Sequence, residues 1–134
     1  MEDDELLRRF EDCSLPNENF HHADHIHVAW LYLNRHSVSH VLIKMSEGLR
    51  RFAASRGKAN LYHETITWSF VFLISERLER DGRKRSWQEF ADANADLFDW
   101  QRNLLKTYYK DETLASDLAR RVFVLPDKSR GADW

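Results

Sequence analysis

Apolar residues recur along this chain at helical rather than strand spacing, in long blocks with few turn signals between them. Leu6, Leu7 and Phe10 form the apolar edge of an opening helix over about residues 3–12. Its first turn carries Asp3, Asp4 and Glu5, where carboxylates favour the positive end of the dipole. Ser14-Leu15-Pro16-Asn17 ends it, and Asn19 is a suitable N-cap for a second helix running from residue 22 to about Arg35. Ser37 or Ser39 can open a third, with Val41, Met45, Gly48, Leu49 and Phe52 on its inward stripe and Gly57 at its close. Gly48 is the odd member, because glycine inside a helix costs about 1 kcal/mol relative to alanine. Its place on the stripe predicts close approach of another backbone, as at a helix crossing, or of a ligand.

A fourth helix, about 61–80, is apolar over much of its circumference and reads as the central element. Gly82 and Arg83-Lys84-Arg85 then lead to Ser86-Trp87-Gln88-Glu89, a capping-box pattern that starts a fifth helix. The apolar face of that helix is Trp87, Phe90, Ala91, Leu97 and Phe98. Asn94 falls in the middle of it, a buried amide in need of partners. The pattern continues through Trp100, Leu104, Leu105 and Tyr108, and a last helix from about Glu112 to Phe123 stops at Pro126. No repeat, low-complexity tract or linker divides the chain. The prediction is an all-α fold: a compact single-domain bundle of about five to six helices over residues 1–134, with about 127–134 as a loose tail.

Two helix starts break the apolar pattern in the same way. With residues 22–36 helical, His22, His25, Ile26, Ala29 and Leu33 share one face, while His27 points elsewhere. In the fourth helix His63, Ile66, Thr67, Phe70 and Ile74 make one stripe headed by an imidazole. Three histidines thus aim inward. His22 and His25 lie about 60° apart around their helix and one turn apart along it, so both can converge on one ion, with His63 completing the set. Three protein ligands with an open position suit catalytic zinc, and histidine with a carboxylate suits iron or manganese. As an enzyme the chain would bind one divalent metal (Zn, Fe or Mn) through His22, His25 and His63. Glu64 would be general base on a metal-bound water or a fourth ligand, Tyr62 an auxiliary donor, and Thr67 and Asn94 pocket residues. Hydrolysis or oxidation of a small molecule is compatible with that set.

The carboxylates are imperfectly aimed: Asp24 projects about 160° from His22, and Glu64 about 100° from His63. Either can instead orient an imidazole through its second nitrogen. Without a metal, the imidazoles can serve as general base or proton shuttle. The competing reading is a non-catalytic protein that binds a small molecule or a protein partner, a second copy of the chain in a homodimer included. Its histidines would be hydrogen-bonded core residues, and Trp68, Phe72 and Trp100 would face the partner or second copy.

Composition removes other classes. Twenty basic and 22 acidic residues leave a net charge of −2, which disfavours nucleic acid and anionic membrane as partners. The longest apolar run, Phe70-Val71-Phe72-Leu73-Ile74, is far short of the roughly 20 residues of a membrane span. One cysteine, Cys13, excludes an internal disulfide and reads as a small hydrophobe, and the acidic start is unlike a signal peptide. A cytoplasmic protein is expected. Asp24-His25 reverses the order of the His-Asp dyad of helical phosphohydrolases, Glu-x-x-His is absent, and no glycine loop for phosphate is present.

Phe20-x-His22-x-x-His25, Ala29-Trp30-x-Tyr32-Leu33, Tyr62-His63-Glu64-Thr65, Asn94, Tyr108-Tyr109 and Phe123-Val124-Leu125-Pro126-Asp127 together resemble a group of short bacterial all-helical proteins of no assigned activity. The resemblance covers most of the chain and implies that His22, His25, His63 and Glu64 belong to one recurring constellation, without supplying chemistry. His21 and His27 stand where that pattern often has a basic residue, which implies surface positions for both.

Overall fold

A computed structural model gives the structure over residues 1–16 and 21–128. The described residues form helices and turns, without strands. Seven α-helices follow one another: α1 (Asp3–Glu11), α2 (His22–Leu33), α3 (Val38–Ser55), α4 (Glu64–Arg80), α5 (Trp87–Ala93), α6 (Asp111–Leu114) and α7 (Asp117–Arg121). Short 3-10 turns lie at Ala59–Leu61, Ala95–Phe98 and Leu104–Thr107. The all-helical expectation holds, with the long helices in place and the C-terminal third broken into shorter pieces than the periodicity implied.

α4 is the hub, packing against α2, α3 and α7, while α1 lies across α2 and α3. Its inward residues Phe70, Val71, Ile74 and Leu78 join Ile26, Ala29, Leu33, Val41, Met45 and Phe52 in the core. Gly48 marks the α1–α3 crossing: a Cβ there would sit 2.5 Å from the edge of the Phe10 ring. The glycine therefore admits an aromatic side chain of a neighbouring helix, neither a backbone nor a ligand.

The helix ends are set by side chains. Ser37 Oγ accepts the His40 N–H at 3.4 Å to start α3, which stops before Gly57 at φ +69°. Ser86 and Glu89 form the expected capping box, at 3.2 and 2.9 Å. α2 is opened by His21, whose backbone N–H donates to Asp24 Oδ2 at 2.9 Å; Asn19 and Phe20 lie outside the described residues.

α5 ends earlier than its apolar face suggested. Asn94 turns back on the helix and donates from Nδ2 to Phe90 O at 2.8 Å, while Arg77 donates to its Oδ1 at 2.9 Å. Arg77 also grips Asp96 through two bonds, at 2.8 and 2.9 Å, tying this corner to α4. The chain comes back to α4 through α7 and continues without helix from Phe123 to Lys128. Thr65 Oγ1, fully buried, lies 2.7 Å from Ala119 O and 2.8 Å from Val122 O and accepts the Val124 N–H at 3.1 Å. Tyr109 Oη donates to Val124 O at 2.6 Å. Asp127 and Lys128, expected to be loose, are held: both backbone N–H groups donate to Tyr108 O, and Asp127 accepts from Lys110 and Thr113. Residues 129–134 of the expected tail lie outside the described residues. Among the described residues, no helix is long and apolar enough to cross a membrane.

Candidate functional site

The starts of α2 and α4 converge on a cavity of about 590 Å³ whose other walls come from α3, the 59–61 turn, Trp100 and α7. His22, His25 and His63 all line it, as do Tyr62 and Thr67. Two separate helix starts therefore bring the three imidazoles to one space. The rest of the lining is mostly apolar: Ile26 and Ala29 from α2, Met45, Leu49 and Phe52 from α3, and Ile66, Phe70, Val71 and Ile74 from α4. Ile26 and Ala29 continue the stripe of His22 and His25, and Ile66, Phe70 and Ile74 that of His63, so the helical period that aimed the imidazoles inward also built much of the apolar body of the cavity.

Each imidazole is fixed differently. His22 sits between the rings of Phe70 and Trp100, both with centroids 4.8 Å away, and its Nε2–H donates to Leu97 O at 2.8 Å. His63 is the N-cap of α4: its Nδ1 accepts the Ile66 N–H at 3.1 Å, and its Nε2–H donates to Leu114 O at 2.7 Å. Both nitrogens are engaged, which fixes the tautomer. Thr67 is buried below it and donates to His63 O at 2.8 Å. His25 lies deepest. Its pKa is lowered to about 4 by burial and by the nearby His22 and His21, so it is neutral at physiological pH. His22 and His63 are also pushed below the usual histidine range, burial being the main cause in each, with Arg120 adding to the effect on His63.

This arrangement does not fit the expected ligand set. A metal on His63 would have to displace at least the Ile66 N–H from Nδ1 or Leu114 O from Nε2, since both ring nitrogens are engaged. Among the described residues no group of three or more His, Cys, Asp or Glu side chains is placed to hold an ion. The carboxylates serve other purposes. Asp24 caps α2. Glu64 faces away from the cavity and accepts from Tyr62 Oη, from Ser46 Oγ at 3.0 Å and from Arg50 Nη2 at 2.9 Å, while Trp68 Nε1–H donates to Ser46 at 2.9 Å. Arg50 also lies over the Tyr62 ring, 4.9 Å from its centroid. Glu64 thus anchors the cavity wall through Tyr62 and is no base on the cavity side. Burial and the bond to Glu64 push the Tyr62 phenol up to about 12, which keeps it protonated.

Asn94, expected as a pocket residue, lies outside the lining, at the end of α5 in the Arg77 corner. His27, expected at the surface, stacks on Trp87 with centroids 4.1 Å apart. Trp68 is not exposed for a partner: it stacks on Phe123 at 5.5 Å, whereas Phe72 and Trp100 are 42% and 49% exposed. Trp100 spends its inner face on His22 and the cavity.

Sequence reasoning passed over the cations of the lining: Arg56, Lys58 and Arg120. Arg56 donates to Cys13 O at 3.0 Å and to Leu15 O, bracing the end of α1 against α3, and lies over the Phe52 ring. Arg120 donates to Asn60 O at 2.7 Å and comes from α7, far from the histidines along the chain. No carboxylate is among the described residues that line the cavity. Compared with family models, with curated proteins and with solved structures, the chain finds no match.

Proposed function

We propose that this chain is a small-molecule-binding protein whose ligand occupies the histidine-lined cavity. The observation that carries the reading is an apolar space of about 590 Å³ with a few convergent polar groups, in the size range of sites for organic ligands, about 300–1,000 Å³. His22 keeps one unprotonated ring nitrogen, and the Tyr62 and Thr67 oxygens keep acceptor lone pairs, beside an aliphatic and aromatic body. The rival reading, a metal-dependent hydrolase or oxidoreductase, needs His63 as a ligand, and its two hydrogen bonds speak against that role.

A neutral fluorescent probe, N-phenyl-1-naphthylamine, tests the proposal. Titration should show saturable binding at one site per chain. Leu49→Trp, which extends an indole from the cavity wall, should weaken it by about tenfold or more while the helical circular-dichroism spectrum stays intact. Absence of saturable binding, or binding that the plug leaves unchanged, overturns the proposal. Elemental analysis of protein purified without a metal column checks the rival: close to one zinc, iron or manganese per chain, lost in His63→Ala, would replace the binding reading.

A further inference from the structure

The cavity is chemically lopsided. Its α2 and α4 walls below the histidines are hydrocarbon and aromatic, from Ile26 and Ala29 to Phe70 and Ile74. Around the 59–61 turn and α7 the lining is polar and carries Lys58 and Arg120 with Tyr62 and His63. That positive part opens into an outer groove, of which Tyr62 and Arg120 form the shared boundary and to which Arg50 and Arg121 contribute. These four cations are not equivalent. Arg50 is paired with Glu64 at 2.9 Å and Arg121 with Asp117 at 2.7 Å, so their charges are largely compensated. Among the described residues neither Lys58 nor Arg120 has a carboxylate partner, and the bond Arg120 makes to Asn60 O is to a neutral group. Lys58 and Arg120, together with Arg56, which is held by the carbonyls of Cys13 and Leu15, therefore line an apolar space to which none of its described residues brings a negative charge.

A cation beside a low-dielectric cavity is a specificity element for charge of the opposite sign. From this juxtaposition we propose that the ligand is an amphipathic anion: an acyl or aryl body lying among Ile26, Phe70 and Ile74, with a carboxylate or phosphate head held between Lys58 and Arg120. Arg120 donates hydrogen bonds to the head, and Lys58, on the exposed side, supplies a mobile point charge. A cationic ligand of the same shape would find no described counter-charge in the cavity. The inference rests on the binding function proposed above and adds the sign of charge.

Displacement of N-phenyl-1-naphthylamine by three ligands with the same ten-carbon tail tests it: decanoate and decyltrimethylammonium below their micellar concentrations and decanol below its solubility limit, all at neutral pH. Decanoate should displace the probe at about tenfold lower concentration than decanol, consistent with one charge-assisted hydrogen bond, and decyltrimethylammonium should be the weakest. Lys58→Ala and Arg120→Gln should each remove most of the decanoate advantage and leave decanol within about twofold of wild type. Lys58 is exposed, so its variant separates head-group recognition from any effect of Arg120 on the position of the 59–61 turn. Equal displacement by decanoate and decanol, or an advantage that both variants retain, overturns the anion assignment and leaves the binding function standing. Failure of the probe itself to bind removes both.

Discussion

α2 and α3 meet two different neighbours along their length, and the contrast isolates what makes the site. At the α1 crossing the space is filled: Phe10 is fully buried, with its ring 6.4 Å from those of Tyr32 and Phe52 and its edge where a Gly48 side chain would stand. On the far side of Phe52 the same helices stand beside α4 and leave the cavity open. Phe52 is the wall between the two regions. One residue type per turn decides the outcome. Glycine faces a large ring at the crossing, whereas Met45 and Leu49 of α3 and Ala29 of α2 line the open space. The solid region contributes stability, and the hollow one gives up dispersion contacts along its lining.

The largest expected effect separates the two regions by energy. Phe10→Ala should cost about 3–5 kcal/mol, the usual range for a fully packed ring, because it removes transfer free energy and leaves a void in rigid surroundings. Phe70→Ala should cost clearly less, about 2 kcal/mol, since one side of its ring already borders the cavity. Urea midpoints at constant slope measure both. Equal losses would mean that the cavity wall is as tightly supported as the crossing.

Acid should attack the hollow region first. His25 is held at about 4 in the folded chain against an ordinary value of 6.5, so the unfolded chain binds the extra proton between those values. Stability is therefore full above about pH 6.5 and falls as pH drops towards 4, with a loss on the order of 3 kcal/mol from this group. Below that no further loss comes from His25, because both states are then protonated. His25→Phe should flatten this part of the stability profile measured by urea unfolding. An unchanged slope would show that other groups carry the acid sensitivity.

The pattern of apolar positions carried the long helices and the inward aim of His22, His25 and His63, because both follow from local geometry at 3.6 residues per turn. What those imidazoles touch was not legible. Their acceptors are the backbone carbonyls of Leu97 and Leu114, in a 3-10 turn and a four-residue helix that leave no side-chain signature. Asn94 illustrates the same limit. It is buried and fully partnered, as a polar residue on an apolar face must be, but it serves by ending the helix, and its partner Arg77 is supplied by α4. Glu64 was off the histidine face by geometry alone, and its destination with Ser46 and Arg50 depends on how α3 crosses α4. Arg120 had no local signal at all, since only the return of α7 over Asn60 brings it to the cavity.

Two adjacent positions on α3 give the sharpest version of the comparison, with smaller effects. Gly48→Ala should destabilise by about 1–2 kcal/mol: the new methyl collides with the Phe10 ring, and the gain in helix propensity of about 1 kcal/mol offsets only part of the overpacking. Adding one carbon on the solid side is thus unfavourable even in a helix that otherwise welcomes alanine.

Leu49→Trp adds far more volume one residue later, yet it should change stability by less than about 1 kcal/mol, because the indole enters existing space and regains contacts along the Ile66 and Phe70 wall. Thermal unfolding of the two variants side by side distinguishes shape from size. Were the tryptophan the more damaging of the two, the space beside Leu49 would have to be too narrow for an aromatic ring, and the probe titration would then be expected to fail in the wild type as well.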